Sequence, residues 1–222
     1  MQFEFFQYYF LFFAINCLFF GTYGSIFQRK IRKLIAYSSV NTIGFVLLAF
    51  STFDLECLNN SFYFFFTYIF NSVCIFMTLI YIKMISASGI RTIQKLSDFS
   101  ILYSSNPSIA LAVVTIFFFS SGIPPFLYFI SKSFVLDSVL TNYYFFYIVF
   151  LVLLTLFSYY YFVRIVKIIY YNTSNTNNDF YGLSKLSVLD SLIYSSSIFI
   201  NILLVFFVDY FSDIFLLFIL SI

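Results

Sequence analysis

Long apolar runs dominate this chain, at residues 5–27, 34–53, 62–85, 143–169 and 189–208. Each reaches the roughly 18 residues that mark a helix able to cross the hydrocarbon core of a bilayer. A soluble fold is excluded, because 62% of the 222 residues are hydrophobic and only 9% are charged. That leaves too little polar surface for a solvated shell. A spanning β-barrel would need short segments of alternating polarity, and these runs do not alternate. The expected fold is therefore all-α, a polytopic transmembrane helix bundle forming one membrane domain over residues 1–222. Two further runs, 107–122 and 124–140, meet at Pro124 and Pro125. They bring the expected total to about seven membrane segments, one of them a broken helix.

The connections carry most of the charge. Arg29, Lys30, Arg32 and Lys33 close the first run, an acidic loop covers 54–60, and a polar connection covers 86–100. Residues 172–183, rich in Asn, read as a polar loop. If both proline-joined runs cross the membrane, Arg164 and Lys167 fall opposite the Arg29–Lys33 cluster. The positive-inside rule then gives no orientation.

Several function classes drop out. A net charge of +2 is too small to imply nucleic acid as a partner, and no polybasic tail suggests a lipid-headgroup anchor, so membrane lipid is expected as a partner from the apolar runs alone. Cys17, Cys57 and Cys74 have no CxxC spacing, and the chain has no His. Zinc sites and four-thiolate iron–sulfur clusters cannot be built from such a set. Thirty-seven Phe and twenty Tyr beside six Gly and no Trp is a bias that no fold requires. Those residues have A/T-rich codons, which suits an organelle genome. The start, MQFEFFQYYF, has neither the basic region of a signal peptide nor the Arg/Ser pattern of a transit peptide.

One charge stands out. Between Phe99 and Leu136 the only ionisable cation or anion is Lys132. A lysine near the centre of a spanning helix costs about 2.5–3.5 kcal/mol, so one that is kept usually faces a bundle interior or a hydrated cavity. The blander reading is a lysine that snorkels from a helix end, with Asp137 marking a nearby interface. Pro124 and Pro125 remove two backbone donors about two turns earlier. Broken helices of this kind are tolerated in membranes where protein or a wet cavity satisfies the freed carbonyls. A plain turn between two short helices is the simpler explanation of the same pair. For the Arg29–Lys33 cluster, hydropathy alone favours an ordinary basic loop.

The order of motifs goes further. GTYGSIFQRKIRKLIAYSSVNTIGF combines spaced glycines, a Gln, the pair Arg32-Lys33, the run Ala36-Tyr37-Ser38-Ser39 and Gly44-Phe45. Later come LSDFSILYSSNPSIALAVVTIFFFSSGIPPFLYFISK, with Lys132 seven residues after Pro125, and LFSYYYFVRIVKIIYYN. In this order and spacing the chain resembles the antiporter-like proton-pumping subunits of respiratory complex I. The glycine pattern and Arg-Lys order are similar to the chain 2 branch of that family, NADH:ubiquinone oxidoreductase, in its C-terminal half. Two positions depart from the family pattern: Thr42 stands where it has a His, and Tyr128 where it has a Gly.

The resemblance implies a set of roles. Lys33 is expected to be a connecting lysine, and Lys132 the terminal lysine, of a hydrated proton relay. Arg32 shares the first position, Tyr37, Ser38 and Ser39 would order water, and Pro124 and Pro125 would open the helix. Lysine suits the task because burial and neighbouring charge bring its protonation into a working range, which guanidinium does not allow. No cofactor is expected in this chain; flavin, iron–sulfur clusters and ubiquinone belong to other subunits of the complex. Expected partners are those subunits and a separate polypeptide carrying the N-terminal half, with a buried Glu and Lys. The expected location is the mitochondrial inner membrane, multi-pass and organelle-encoded. Two other readings remain at this point: a subunit of a cation/proton antiporter, and a structural membrane subunit without its own transport.

Overall fold

A computed structural model describes residues 2–52, 54–86, 89–124, 126–140, 145–171, 180–183 and 188–221. Helix α1 (Gln2–Ile26) runs from one end of the bundle to the other, and α2 (Ile31–Phe50) returns against it. The two backbones approach closely at Gly21, where a Cβ would sit 2.6 Å from the backbone nitrogen of Asn41. Helix α3 (Leu55–Tyr81) begins earlier than its apolar run suggests. The segment read as an acidic loop, 54–60, is helical from Leu55 onward. Tertiary packing overrides its polarity, because Cys57 and Asn59 are buried there.

The connection after α3 is not a featureless polar stretch. Strands β1 (Lys83–Ser86) and β2 (Gly89–Thr92) pair as an antiparallel hairpin, and β3 (Phe180–Leu183) pairs with the other edge of β1. Four residues of the expected loop 172–183 are thus a strand, while 172–179 lie outside the described residues. The Lys30–Lys95 bridge ties the turn between α1 and α2 to this end. Ile31 N–H donates to Gln94 O (3.1 Å), and Leu96 N–H donates to Arg29 O (2.9 Å).

Next come a short 3-10 turn (Leu96–Phe99), α4 (Ser100–Ser105) and α5 (Pro107–Ser121). Asn106 caps α5, its Oδ1 accepting from Ser108 N–H (3.2 Å) and Ile109 N–H (3.4 Å), with Pro107 at the first helical position. The helix stops at Gly122, whose φ of 71° puts it in the left-handed region that favours glycine. Pro124 follows, and α6 (Leu127–Leu140) starts after the break.

Helix α6 descends along α3. Cys57 Sγ donates to Ser138 O (3.4 Å), Asn60 Nδ2 to Phe134 O (3.1 Å) and Thr67 Oγ1 to Ser131 Oγ (3.0 Å). Further up α3, Cys74 and Ile75 share a core with Val113, Val114 and Phe117 of α5. The two half-helices line α3 in succession and together make one crossing. Among the described residues, four helices are long and apolar enough to cross alone: α1, α2, α3 and α7 (Phe145–Tyr171). Helices α8 (Val188–Phe206) and α9 (Val208–Leu220) form a second interrupted pair, bent by 80°.

A single crossing by α5 and α6 changes the charge map. Helix α7 now ends beside the C-terminus of α1, where Arg164 Nη1 donates to Ile26 O (2.8 Å). Arg29, Lys30, Arg32, Lys33, Lys83, Arg91, Lys95, Arg164 and Lys167 all fall at this end. Asp54, Glu56, Asp137 and Asp213 fall at the other. The conflict in the positive-inside rule disappears, and the basic end is expected to face the compartment from which the chain is inserted. Gln94→Cys and Leu55→Cys should react with an impermeant maleimide from opposite faces of sealed vesicles. Labelling of both from one face contradicts this topology.

Hydroxyls are satisfied locally. Thr22, Ser38 and Thr78 donate to carbonyls three or four residues earlier in their own helices, as polar groups in hydrocarbon must. Two large buried clusters fill the bundle. One, toward the basic end, is built on Ile31, Leu34, Phe99, Phe117 and Ile165, and the other on Leu18, Phe45, Phe64, Val135 and Leu154.

Candidate functional site

Between those clusters the bundle buries a cation. Lys132, on the second half of the broken crossing, is only 2% exposed. Its neighbours Tyr68 and Asn71 on α3 and Ser158 on α7 are near the middle of their helices, and Phe45 lies in the last third of α2. Thirteen residues of helix at 1.5 Å each put this point about 20 Å from either end of α3 or α7. A snorkelling lysine would reach for an interface, as the exposed Asp137 does one turn and a half later. Lys132 instead points into the bundle.

Nζ of Lys132 donates to Ser158 Oγ (3.0 Å), and that hydroxyl donates onward to Thr155 O (2.6 Å). The amine also lies 4.4 Å from the centroid of the Phe45 ring and 5.2 Å from that of Tyr159. Ring faces of this kind offset part of the cost of burying a cation. Among the described residues no carboxylate lines the pocket.

Around the amine lies a cavity of about 20 Å³. Its polar walls are Ser38, Asn41 and Thr42 of α2, Tyr68 and Asn71 of α3, Ser120 of α5, and Ser158 and Tyr161 of α7. The Oδ1 atoms of Asn41 and Asn71 are buried without a hydrogen-bond donor in reach. A space of this size and polarity is large enough for one water, which would donate to these oxygens and exchange a proton with Lys132. A smaller cavity of about 10 Å³ shares Asn71 and Tyr128 with the first and reaches Asn201 on α8. There Asn201 Nδ2 donates to Cys74 Sγ (2.8 Å). Polar lining therefore continues beyond Lys132 toward α8.

The chemistry available is narrow. A buried amine, hydroxyls, amides and phenols can bind, hold and pass a proton. Among the described residues no group of His, Cys, Asp or Glu could hold a metal ion.

Of the residues given a role from the sequence, Lys132 and Ser38 meet in this pocket. Arg32 and Lys33 are exposed on this chain, in the first turn of α2 at the basic end. The reason is local: Ile31, Leu34 and Ile35 take the inward face of that turn, and its backbone is pinned to Gln94. Tyr37 is half-exposed against Gly24, and Ser39 Oγ donates to Ala36 O (2.7 Å). Pro124 is exposed in the turn between α5 and α6, and Pro125 lies outside the described residues. Sequence reasoning missed Asn41 and Asn71, whose signal was an amide in the middle of an otherwise apolar run. Thr42 and Tyr128, the two departures from the family pattern, both line the cavity.

Comparison with known proteins adds four findings. Residues 1–158 match the family described as NADH:quinone oxidoreductase/Mrp antiporter, TM. NADH-quinone oxidoreductase subunit N of Pelagibacter ubique is 28% identical over 136 residues, covering 61% of this chain and 28% of that protein. NADH-ubiquinone oxidoreductase chain 2 of Metridium senile is 30% identical over 125 residues, covering 56% and 31%. The chain thus matches less than a third of the length of these relatives. Among solved structures, a chain of respiratory complex I from Thermus thermophilus aligns with a TM-score of 0.73 at 16% identity. That alignment covers 92% of this chain and 44% of the other, a likeness of fold.

Proposed function

Because the chain belongs to the NADH:quinone oxidoreductase/Mrp antiporter transmembrane family, we propose that it is a membrane-arm subunit of respiratory complex I that carries protons through Lys132. The observation that carries this reading is an amine, 2% exposed at mid-depth on a broken helix, beside a polar cavity. An uncompensated buried charge is costly to keep without a use, which weighs against a purely structural subunit.

In this reading Lys132 takes a proton from water in the cavity and releases it along the amide-lined side of the pocket. Ser158 holds the amine in place, and Asn41 and Asn71 order the water. Lys33, with Arg32, would act at the basic end as the connection to a neighbouring relay group, where an exposed amine is open to a partner surface. Hydride and electron chemistry belong to other subunits, which hold flavin, iron–sulfur clusters and ubiquinone. The remaining length of the family would come from a separate polypeptide packed against this one and supplying a buried Glu and Lys. The mitochondrial chain 2 relative and the A/T-rich residue usage support the mitochondrial inner membrane as its location and an organelle gene as its source.

The family description spans two kinds of assembly, so the second reading is a subunit of an Mrp-type cation/proton antiporter. Purification of the intact assembly from native membranes separates them. Co-purification of flavin- and iron–sulfur-bearing subunits, with NADH-driven proton movement in vesicles, is the expected result. An assembly without those cofactors, exchanging sodium for protons, would establish the antiporter instead.

A further inference from the structure

A second cleft, of about 660 Å³, opens at the acidic end between α3, α6 and α9. Three carboxylates on three different helices line it: Glu56, Asp137 and Asp213. Among the described residues no Lys or Arg lines it, and every cation except the buried Lys132 lies at the far end of the bundle. Its walls are otherwise largely apolar, with Phe134 and Leu216 among them. Asn59 also lines the cleft and is only 7% exposed, and its Oδ1 has no hydrogen-bond donor in reach. The neighbouring amide, Asn60, donates to Phe134 O across to α6 (3.1 Å) and not to this oxygen.

We propose that this cleft receives a basic side chain, Lys or Arg, from another polypeptide of the membrane assembly. Charge complementarity carries the choice of occupant. Three carboxylates lining one cleft at a membrane border, with no cation among the described lining residues, favour a cationic occupant, and the buried Asn59 oxygen is open to an N–H donor; ammonium and guanidinium supply both. A bare metal ion fits less well, since among the described residues no cluster of carboxylates is tight enough to hold one. A zwitterionic aminolipid would bring its phosphate beside the same carboxylates, which repel it. The apolar walls then accept the stem of the incoming side chain. This surface is independent of proton transfer at Lys132.

The test uses the intact assembly in native membranes. Asp137→Cys, in a chain also carrying Cys17→Ser, is coupled to a benzophenone maleimide, irradiated, and the linked product sequenced. The expected product is a cross-link to another polypeptide, at a peptide bearing Lys or Arg beside the linked residue. Its yield should fall roughly fivefold or more when Glu56→Gln and Asp213→Asn are added, as charge pairing across an interface requires. Leu55→Cys, at the exposed rim of the cleft, gives the same readout from a position that removes no charge if Asp137→Cys does not accumulate. Cross-linking to lipid alone, no cross-link, or a yield unchanged by neutralisation would overturn the proposal.

Discussion

Lys132→Met is expected to assemble at close to the normal level and to lose about tenfold or more of its proton translocation. Met occupies most of the lysine stem's volume and removes an insertion cost of about 2.5–3.5 kcal/mol, so the bundle has no reason to fail. The rings of Phe45 and Tyr159 can contact a thioether as readily as an ammonium. Ser158 keeps its bond to Thr155 O. What disappears is the one basic group facing the Asn41–Asn71 cavity, and a tenfold loss corresponds to only about 1.4 kcal/mol of added barrier. The measurement is the initial rate of NADH-driven proton movement per assembled complex in sealed vesicles. An unchanged rate would place the proton path elsewhere.

The largest structural effect is expected from a single methyl group. Gly21→Ala puts a Cβ 2.6 Å from the backbone nitrogen of Asn41 and 2.9 Å from its Cα. A backbone atom inside α2 cannot step aside, so α1 and α2 must separate along their length. Overpacking of this kind costs on the order of 1–3 kcal/mol, enough to lower the amount of protein in membranes several-fold. Gly24→Ala is the control. Its Cβ meets the ring of Tyr37, a half-exposed side chain that can swing away, and its effect should be much smaller. Immunoblots of the two variants against the unaltered chain decide the matter, and equal accumulation would mean that the close approach at Gly21 is not needed. Asn41 also borders the Lys132 cavity, so whatever Gly21→Ala protein survives should translocate poorly as well.

How much of this was legible in the sequence depended on whether the signal was local. Long apolar runs dictate helices without help from the rest of the chain, and α1, α2, α3 and α7 follow them to within a few residues, apart from the start of α3. That start lay hidden because Asn59 and Asn60 read as loop residues until α6 packs against them. The hairpin of β1 and β2 was missed for a similar reason: its outer partner, β3, lies almost a hundred residues away. Two prolines announced the break before α6. They do not say whether the halves make one crossing or two, and only the ladder of contacts with α3 decides that.

The site divides in the same way. Lys132 was visible as an isolated charge in an apolar run, because its cost in lipid is a property of the residue itself. Asn41 and Asn71 were not, since an amide in a membrane helix more often bonds a neighbouring helix than lines a cavity. The motif containing Arg32 and Lys33 identified a family position but not its burial. Burial there depends on which face of the first turn of α2 turns inward, and three aliphatic residues take it.

The central claim is that the amine of Lys132 itself binds and releases the proton, and Lys132→Arg tests it most directly. Guanidinium keeps the positive charge and the cation–π contact but stays protonated, so it cannot pass a proton on. Proton movement per NADH oxidised, measured in sealed vesicles with the Lys132→Arg assembly at matched protein, should stay as depressed as in Lys132→Met. Full coupled pumping by the arginine variant would mean that a fixed charge suffices at this position, and would contradict the account.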